Sequence, residues 1–160
     1  VESVIKYTLG LGVNKSKLVI ALGSYGYDWP KGSSGSSITN TTARNRAKQY
    51  GSTIYRDVNS ECLFYTYNKS GVKHTVWFED SVSLGKKAAL AAKYDLGGLA
   101  FWRLGFYTTE IWSQVLKNTD NPNAQEWLNK AADETTFPYA RIDSNGGISI
   151  ENNGGFIPQS

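Results

Sequence analysis

Three carboxylates of this 160-residue chain could do chemistry: Asp28, beside Trp29, and the neighbours Glu79 and Asp80, just after Phe78. General acid–base chemistry needs such groups held on either side of one reacting bond. Glu79 and Asp80 are adjacent, so on a strand they point to opposite faces, and on a loop nothing fixes one as acid beside the other as base. They are read instead as charges that anchor a following helix, whose N-terminus favours negative groups. The lone thiol, Cys62, has no partner for an internal disulfide and no metal-ligand spacing around it, and is read as a small buried residue. The single histidine, His74, lies in Gly71–Phe78, which alternates like a strand, and is read as structural or cleft-lining. Without a second histidine or a nearby cysteine no zinc site is expected, nor any other metal or cofactor. No residue is assigned a catalytic role.

The aromatic residues carry the stronger signal. Five tryptophans and ten tyrosines exceed what a core of this size needs, because their polar edges demand partners when buried. Rings of this kind suit sugars: the apolar face of a pyranose stacks on a flat aromatic while its hydroxyls bond to neighbours. Tyr25, Tyr27, Trp77 and Trp102 are candidate sugar contacts, with ordinary packing of the rings as the alternative. Asp28, at a strand end after Tyr27, is read as meeting a sugar hydroxyl or ordering its own loop.

Two apolar runs must position these groups. Lys17 to Leu22 is a buried strand that breaks into Gly23-Ser24-Tyr25-Gly26-Tyr27-Asp28-Trp29, and Leu96 to Gly105 repeats that logic and ends in Phe101-Trp102-Arg103. In barrels and open α/β sheets such strand ends converge on the ligand. Around them the sequence predicts a helix over 1–11 and a loop over Pro30–Ser37. A second helix is predicted over Thr39–Tyr50, closed by Gly51. Strands follow at Thr53–Arg56, Leu63–Tyr67 and Lys73–Phe78, the last two joined through a four-residue turn, Asn68–Gly71. A helix capped by Ser81 or Ser83 then runs from about Leu84 to Tyr94. Further helices are expected over Thr109–Lys117 and Ala124–Ala132 with a break between them, and short strands over Phe137–Ile142 and Gly147–Ile150.

The net charge of +3 is scattered rather than clustered, so nucleic acid is not an expected partner. No apolar run approaches the roughly 20 residues that a membrane helix needs, so no membrane partner is expected. The start at Val1 and the lack of methionine are read as a processed or trimmed N-terminus with sequence upstream.

Three ordered blocks resemble the C-terminal part of family 18 glycoside hydrolases. They are Lys17–Leu22 leading into Tyr25–Trp29, His74–Lys86, and Gly97–Gly105. The likeness is to bacterial chitinase-like and spore-cortex peptidoglycan-acting members and covers roughly residues 1–117. It implies an α/β fold, the C-terminal portion of a (β/α)8 barrel, with Lys17–Ser24 on strand seven and Gly98–Arg103 on strand eight. It also implies a small α+β insertion over about 30–78, with 118–160 as a linker and extension of unknown role. Trp102 matches the tryptophan beneath the reacting N-acetyl sugar. The family's catalytic pattern, D-x-x-D-x-D-x-E, is absent, so this stretch is expected to be inactive alone and to supply groove residues to a glycosidase. The expected partner is a polysaccharide containing N-acetylglucosamine, met outside the cell or at the cell envelope or spore. The rest of the barrel, or self-association, is expected to cover the open strand edges. The alternative is a non-catalytic glycan-binding or structural module.

Overall fold

The computed structural model describes residues 1–103, 137–152 and 155–158. The helices expected over 109–117 and 124–132, and the break between them, lie outside the described residues. The chain divides into two units: Val1–Ser24 with Ser81–Glu134, and Tyr25–Asp80 with Thr135–Ser160.

The first unit is helix on sheet. Helix α1 (Glu2–Gly10) buries only Ile5. A single 3-10 turn, Lys15–Lys17, is capped by the Asn14 side chain and leads into β1 (Val19–Gly23). This strand pairs in parallel with β7 (Gly98–Trp102), from Val19 opposite Gly98 to Gly23 opposite Trp102. Helix α3 (Ser81–Lys93) lays Leu84 and Ala88 on Ile20, Leu22, Leu99 and Phe101. It starts three residues before the expected Leu84. Serines are weak helix formers in a helix interior but are tolerated in the first turn, where side-chain oxygens meet N–H groups that lack helical partners. Val19, Ala21, Ala100 and Trp102, which alternate with the packed residues, are exposed. The carboxylate of Glu2 ties α1 to the end of α3 by accepting from the Tyr94 hydroxyl (2.6 Å) and the Lys93 ammonium (2.9 Å). Those two bonds hold its pKa down to about 2.

Gly97 fixes the entry to β7. Its N–H donates to the carbonyls of Lys15 and Leu18, both at 2.9 Å, and a Cβ there would lie 2.2 Å from the Ser16 carbonyl oxygen. Backbone cannot yield as a flexible side chain would. Gly97→Ala is expected to lower the unfolding free energy by about 2–3 kcal/mol, read as a shifted urea midpoint at unchanged slope; a shift under a third of that would mean the 3-10 turn moves freely.

The second unit is an eight-stranded sheet in the order β10-β9-β8-β4-β5-β6-β2-β3. Its strands are β2 (Gly26–Pro30), β3 (Ser36–Ile38), β4 (Tyr55–Asp57), β5 (Leu63–Lys69), β6 (Val72–Phe78), β8 (Tyr139–Ile142), β9 (Ile148–Asn152) and β10 (Gly155–Pro158). All neighbours are antiparallel except β4 and β8. Helix α2 (Asn40–Gln49) is capped by the Thr39 hydroxyl, which accepts from the Thr42 N–H at 3.0 Å. Its Ala43 and Ala47 are small enough to bring the helix down on Leu63, Tyr65, Tyr67, Val76 and Phe78.

Three observations depart from the sequence reading. Part of the expected loop over 30–37 is β3, which continues to Ile38 and borders β2. The β5–β6 turn has two residues, Ser70 and Gly71, at φ of 51° and 78°, because a turn of this hand matches the twist of the strands; Asn68 and Lys69 are in the ladder. Finally, β8 pairs with β4, Arg56 opposite Tyr139 and Asp57 opposite Ala140, so strands of the C-terminal extension belong to the same sheet as the insertion. Arg56 and Asp80 form a buried ion pair beneath this junction, with Nη2 to Oδ2 at 2.7 Å, while Arg56 Nη1 also reaches the Glu61 carbonyl at 2.6 Å.

Candidate functional site

Side chains alternate across the second unit's sheet, and α2 covers one face. On the other face Tyr25, Tyr27 and Trp29 follow one another along β2, with ring centroids 5.8 Å and 5.3 Å apart. A row of aromatics crosses them at right angles. Tyr27 is opposite Trp77, Trp77 opposite Phe64, and Phe64 opposite Tyr55, so four neighbouring strands each contribute one ring. Trp77 stacks on Phe64 at 4.8 Å. Tyr27 and Trp29 are 37% and 46% exposed.

Where the two rows cross, a depression of about 200 Å³ is lined by Tyr25, Tyr27, Trp29, Trp77, Cys62 and Glu79. The Cys62 thiol donates to Glu79 Oε1 at 3.3 Å. Two glycines allow this packing. A Cβ on Gly26 would lie 2.5 Å from the Trp77 carbonyl oxygen, and one on Gly35 would lie 2.5 Å from the Trp29 ring. The indole of Trp29 therefore rests on Gly35 with one side and stacks on Tyr27. The chemistry on offer is an apolar wall studded with phenol and indole hydrogen-bonding groups, the combination that suits a flat ligand with many hydroxyls.

Asp28 and His74 stand on the opposite, helix-covered face. Asp28 is 6% exposed and accepts from Tyr67 Oη at 2.6 Å, from His74 Nδ1 at 2.8 Å and from the Arg46 guanidinium. An ionised carboxylate only accepts, so the protons of these bonds lie on Tyr67 Oη and on His74 Nδ1. The ring of Tyr67 stacks on His74 at 4.6 Å and meets the tilted ring of Tyr50 at 4.5 Å. Burial first, and then the bond to Asp28, push the Tyr67 pKa up to about 12. This cluster clamps β2 and β6 to α2, and its groups are spent on one another.

Trp102 belongs to the first unit, at the C-terminal end of β7, and is 66% exposed. Its carbonyl accepts from the Ser24 N–H at 2.9 Å, and its peptide bond to Arg103 is cis. Of the six candidate residues, then, Tyr25, Tyr27 and Trp77 line one depression, Asp28 and His74 bond to each other behind it, and Trp102 stands on the other unit. Glu79 and Asp80 do not face each other: the first borders the depression, the second is buried against Arg56. Among the described residues no group of three or more His, Cys, Asp and Glu side chains is placed to hold a metal ion. Phe64 and Tyr55 lie in strand runs that the sequence showed but were not named as site residues, because which residues they oppose follows only from the pairing of β4, β5 and β6.

Comparison with known proteins extends these observations. The sequence profile of the glycosyl hydrolases family 18 matches residues 1–106. A cortical fragment-lytic enzyme of Bacillus anthracis is 29% identical over 108 residues, 64% of this chain and 25% of that protein. The cortical fragment-lytic enzyme of Bacillus subtilis is 30% identical over 118 residues, 70% of this chain and 27% of that protein. This chain thus spans about a quarter of the length of these relatives. Among solved structures, the spore cortex-lytic enzyme SleL of Bacillus megaterium aligns with TM-score 0.67 at 29% identity, over 74% of this chain and 29% of that one. A chitinase from Chromobacterium violaceum aligns with TM-score 0.64 at 28% identity, over 68% of this chain and 35% of that one.

Proposed function

The chain belongs to the glycosyl hydrolases of family 18, and on that premise we propose that it is the C-terminal part of an enzyme that hydrolyses β-1,4-linked polysaccharide containing N-acetylglucosamine, chitin or peptidoglycan. The observation that carries this reading is the parallel pair β1–β7, packed on α3 by one face and bare on the other, where Val19 and Trp102 are 51% and 66% exposed. In a closed (β/α)8 barrel the bare face is the interior, and the exposed ring at the C-terminal end of a strand stands at the mouth where ligands bind. In this reading β1 and β7 are strands seven and eight, residues of about 30–78 are the insertion, and upstream strands cover the open edge.

Sugar stacks on Tyr25, Tyr27 and Trp77 along the second unit's sheet and on Trp102 at the end of β7, while Asp28 and His74 hold β2 and β6 in place. The proton donor comes from the D-x-x-D-x-D-x-E motif of the remaining barrel. Action on such polymers puts the enzyme outside the cell or at the envelope or spore, in keeping with the cortex-lytic relatives.

The test is Trp102→Ala in the complete enzyme. Loss of a stacked indole is expected to remove about 1.5–3 kcal/mol of transition-state stabilisation, a drop in kcat/KM of roughly tenfold to a hundredfold, with the melting temperature unchanged. Unaltered kinetics reject the role. The second reading, a glycan-binding chain without chemistry, draws on the separation of Glu79 from Asp80. It requires that the gene upstream of Val1 lack the acidic motif and that no new reducing ends form.

A further inference from the structure

A second depression, of about 180 Å³, opens on the same sheet face as the aromatic rows and is lined by Trp29, Lys31, Lys73, Thr75, Ser144 and Asn145. Trp29 borders both depressions, so the two are neighbours along β2. Three segments build the second one: the end of β2, the start of β6, and the β8–β9 turn. The turn is held from inside and from below. The Asp143 carboxylate accepts from the N–H groups of Asn145 and Gly147, both at 2.8 Å, and Lys73 Nζ donates to the Gly146 carbonyl at 2.7 Å. The N–H groups of Gly147 and Asn145 hold the Asp143 pKa below the usual carboxylate range, so it stays charged and committed to its own turn. Lys31 is anchored by its backbone N–H to the Lys73 carbonyl at 2.8 Å, and its ammonium makes no hydrogen bond or ion pair among the described residues. The lining thus holds two cations, an exposed indole, two hydroxyls and an amide, and no carboxylate.

We propose that this pocket binds a carboxylate carried on the glycan that occupies the neighbouring aromatic depression, and so favours an acidic polysaccharide over a neutral one. The inference rests on the glycosidase reading above and narrows its substrate. Trp29 packs on the sugar, the Lys31 ammonium lies beside the carboxylate while Lys73 stays on the turn, and Thr75, Ser144 and Asn145 bond to hydroxyl or amide groups. The turn that completes the pocket lies beyond the region matched by the family profile, residues 1–106.

Binding of three thio-linked, slowly hydrolysed oligosaccharides of equal length to the complete enzyme tests this by fluorescence titration. One is neutral N-acetylglucosamine oligomer, one carries lactyl ether carboxylates on alternate sugars, and one is the methyl ester of the second. The acid is expected to bind about threefold to fivefold more tightly than its ester, the effect of one partly exposed ion pair. Lys31→Gln should remove that difference, and Lys31→Glu should reverse it, with binding of the neutral oligomer unchanged in both. Equal binding of acid and ester, or a preference that survives Lys31→Gln, overturns the proposal and leaves the glycosidase reading intact. Failure of all three to bind overturns both.

Discussion

Replacing Asp80 with alanine is expected to lower the unfolding free energy by about 3–5 kcal/mol, the cost of stranding a buried charge by removing its partner. Arg56 is 0% exposed, and its two terminal nitrogens reach Asp80 Oδ2 at 2.7 Å and Oδ1 at 3.3 Å. Without Asp80 the guanidinium keeps, among the described residues, only the hydrogen bond to the Glu61 carbonyl to set against its lost hydration. The pair itself is not the source of the stability, since its attraction mainly offsets the desolvation of both groups. The double substitution Arg56→Met with Asp80→Leu should therefore recover most of what the single change loses. Chemical denaturation of the three proteins checks both statements; a single mutant within about 1 kcal/mol of wild type would mean that water reaches the pair.

The second large effect is expected at Asp28. Asparagine has the same shape, but each partner of this carboxylate is a donor: Tyr67 Oη, His74 Nδ1 and the Arg46 guanidinium. The amide would turn one NH2 group toward a donor and leave Arg46 without a counter-charge. Loss of charge-assisted bonds in a buried setting puts the cost at about 3 kcal/mol. The same change should loosen β2 on α2, seen as faster amide exchange at Trp29 and Thr75, which pair across β2 and β6. A loss under 1 kcal/mol, or exchange unchanged at those two amides, would show that the strand is held by its ladder alone.

Much of this arrangement was legible in the residues, and what was not has definite causes. The apolar runs 18–22 and 98–102 gave β1 and β7 and, through the family resemblance, their parallel pairing. The parity of β2 was also open to view: Tyr25, Tyr27 and Trp29 alternate with Gly26, Asp28 and Pro30, so Asp28 had to face away from the tyrosines. Placing His74 behind the wall as well needed the knowledge that β6 pairs with β2, which no local pattern carries. The Ser70 turn was hidden because serine is not a usual marker of positive φ. β3 was hidden because Ser36 and Ser37 read as loop, although their backbone is paired. The join between β4 and β8 links residues more than eighty apart, and three-residue β4 offered no sign that both its edges are occupied.

That join means that likeness of sequence and continuity of hydrogen bonding end at different places in this polypeptide. The Arg56 N–H donates to the Pro138 carbonyl at 2.9 Å and the Val58 N–H to the Ala140 carbonyl at 3.3 Å. A protein shortened to residues 1–106, the stretch that the family profile matches, would lack β8 and present β4 as a raw margin, inviting a neighbouring molecule to supply the missing strand. Strand β8 is thus a seal on β4, and any trimmed version made for study should retain it.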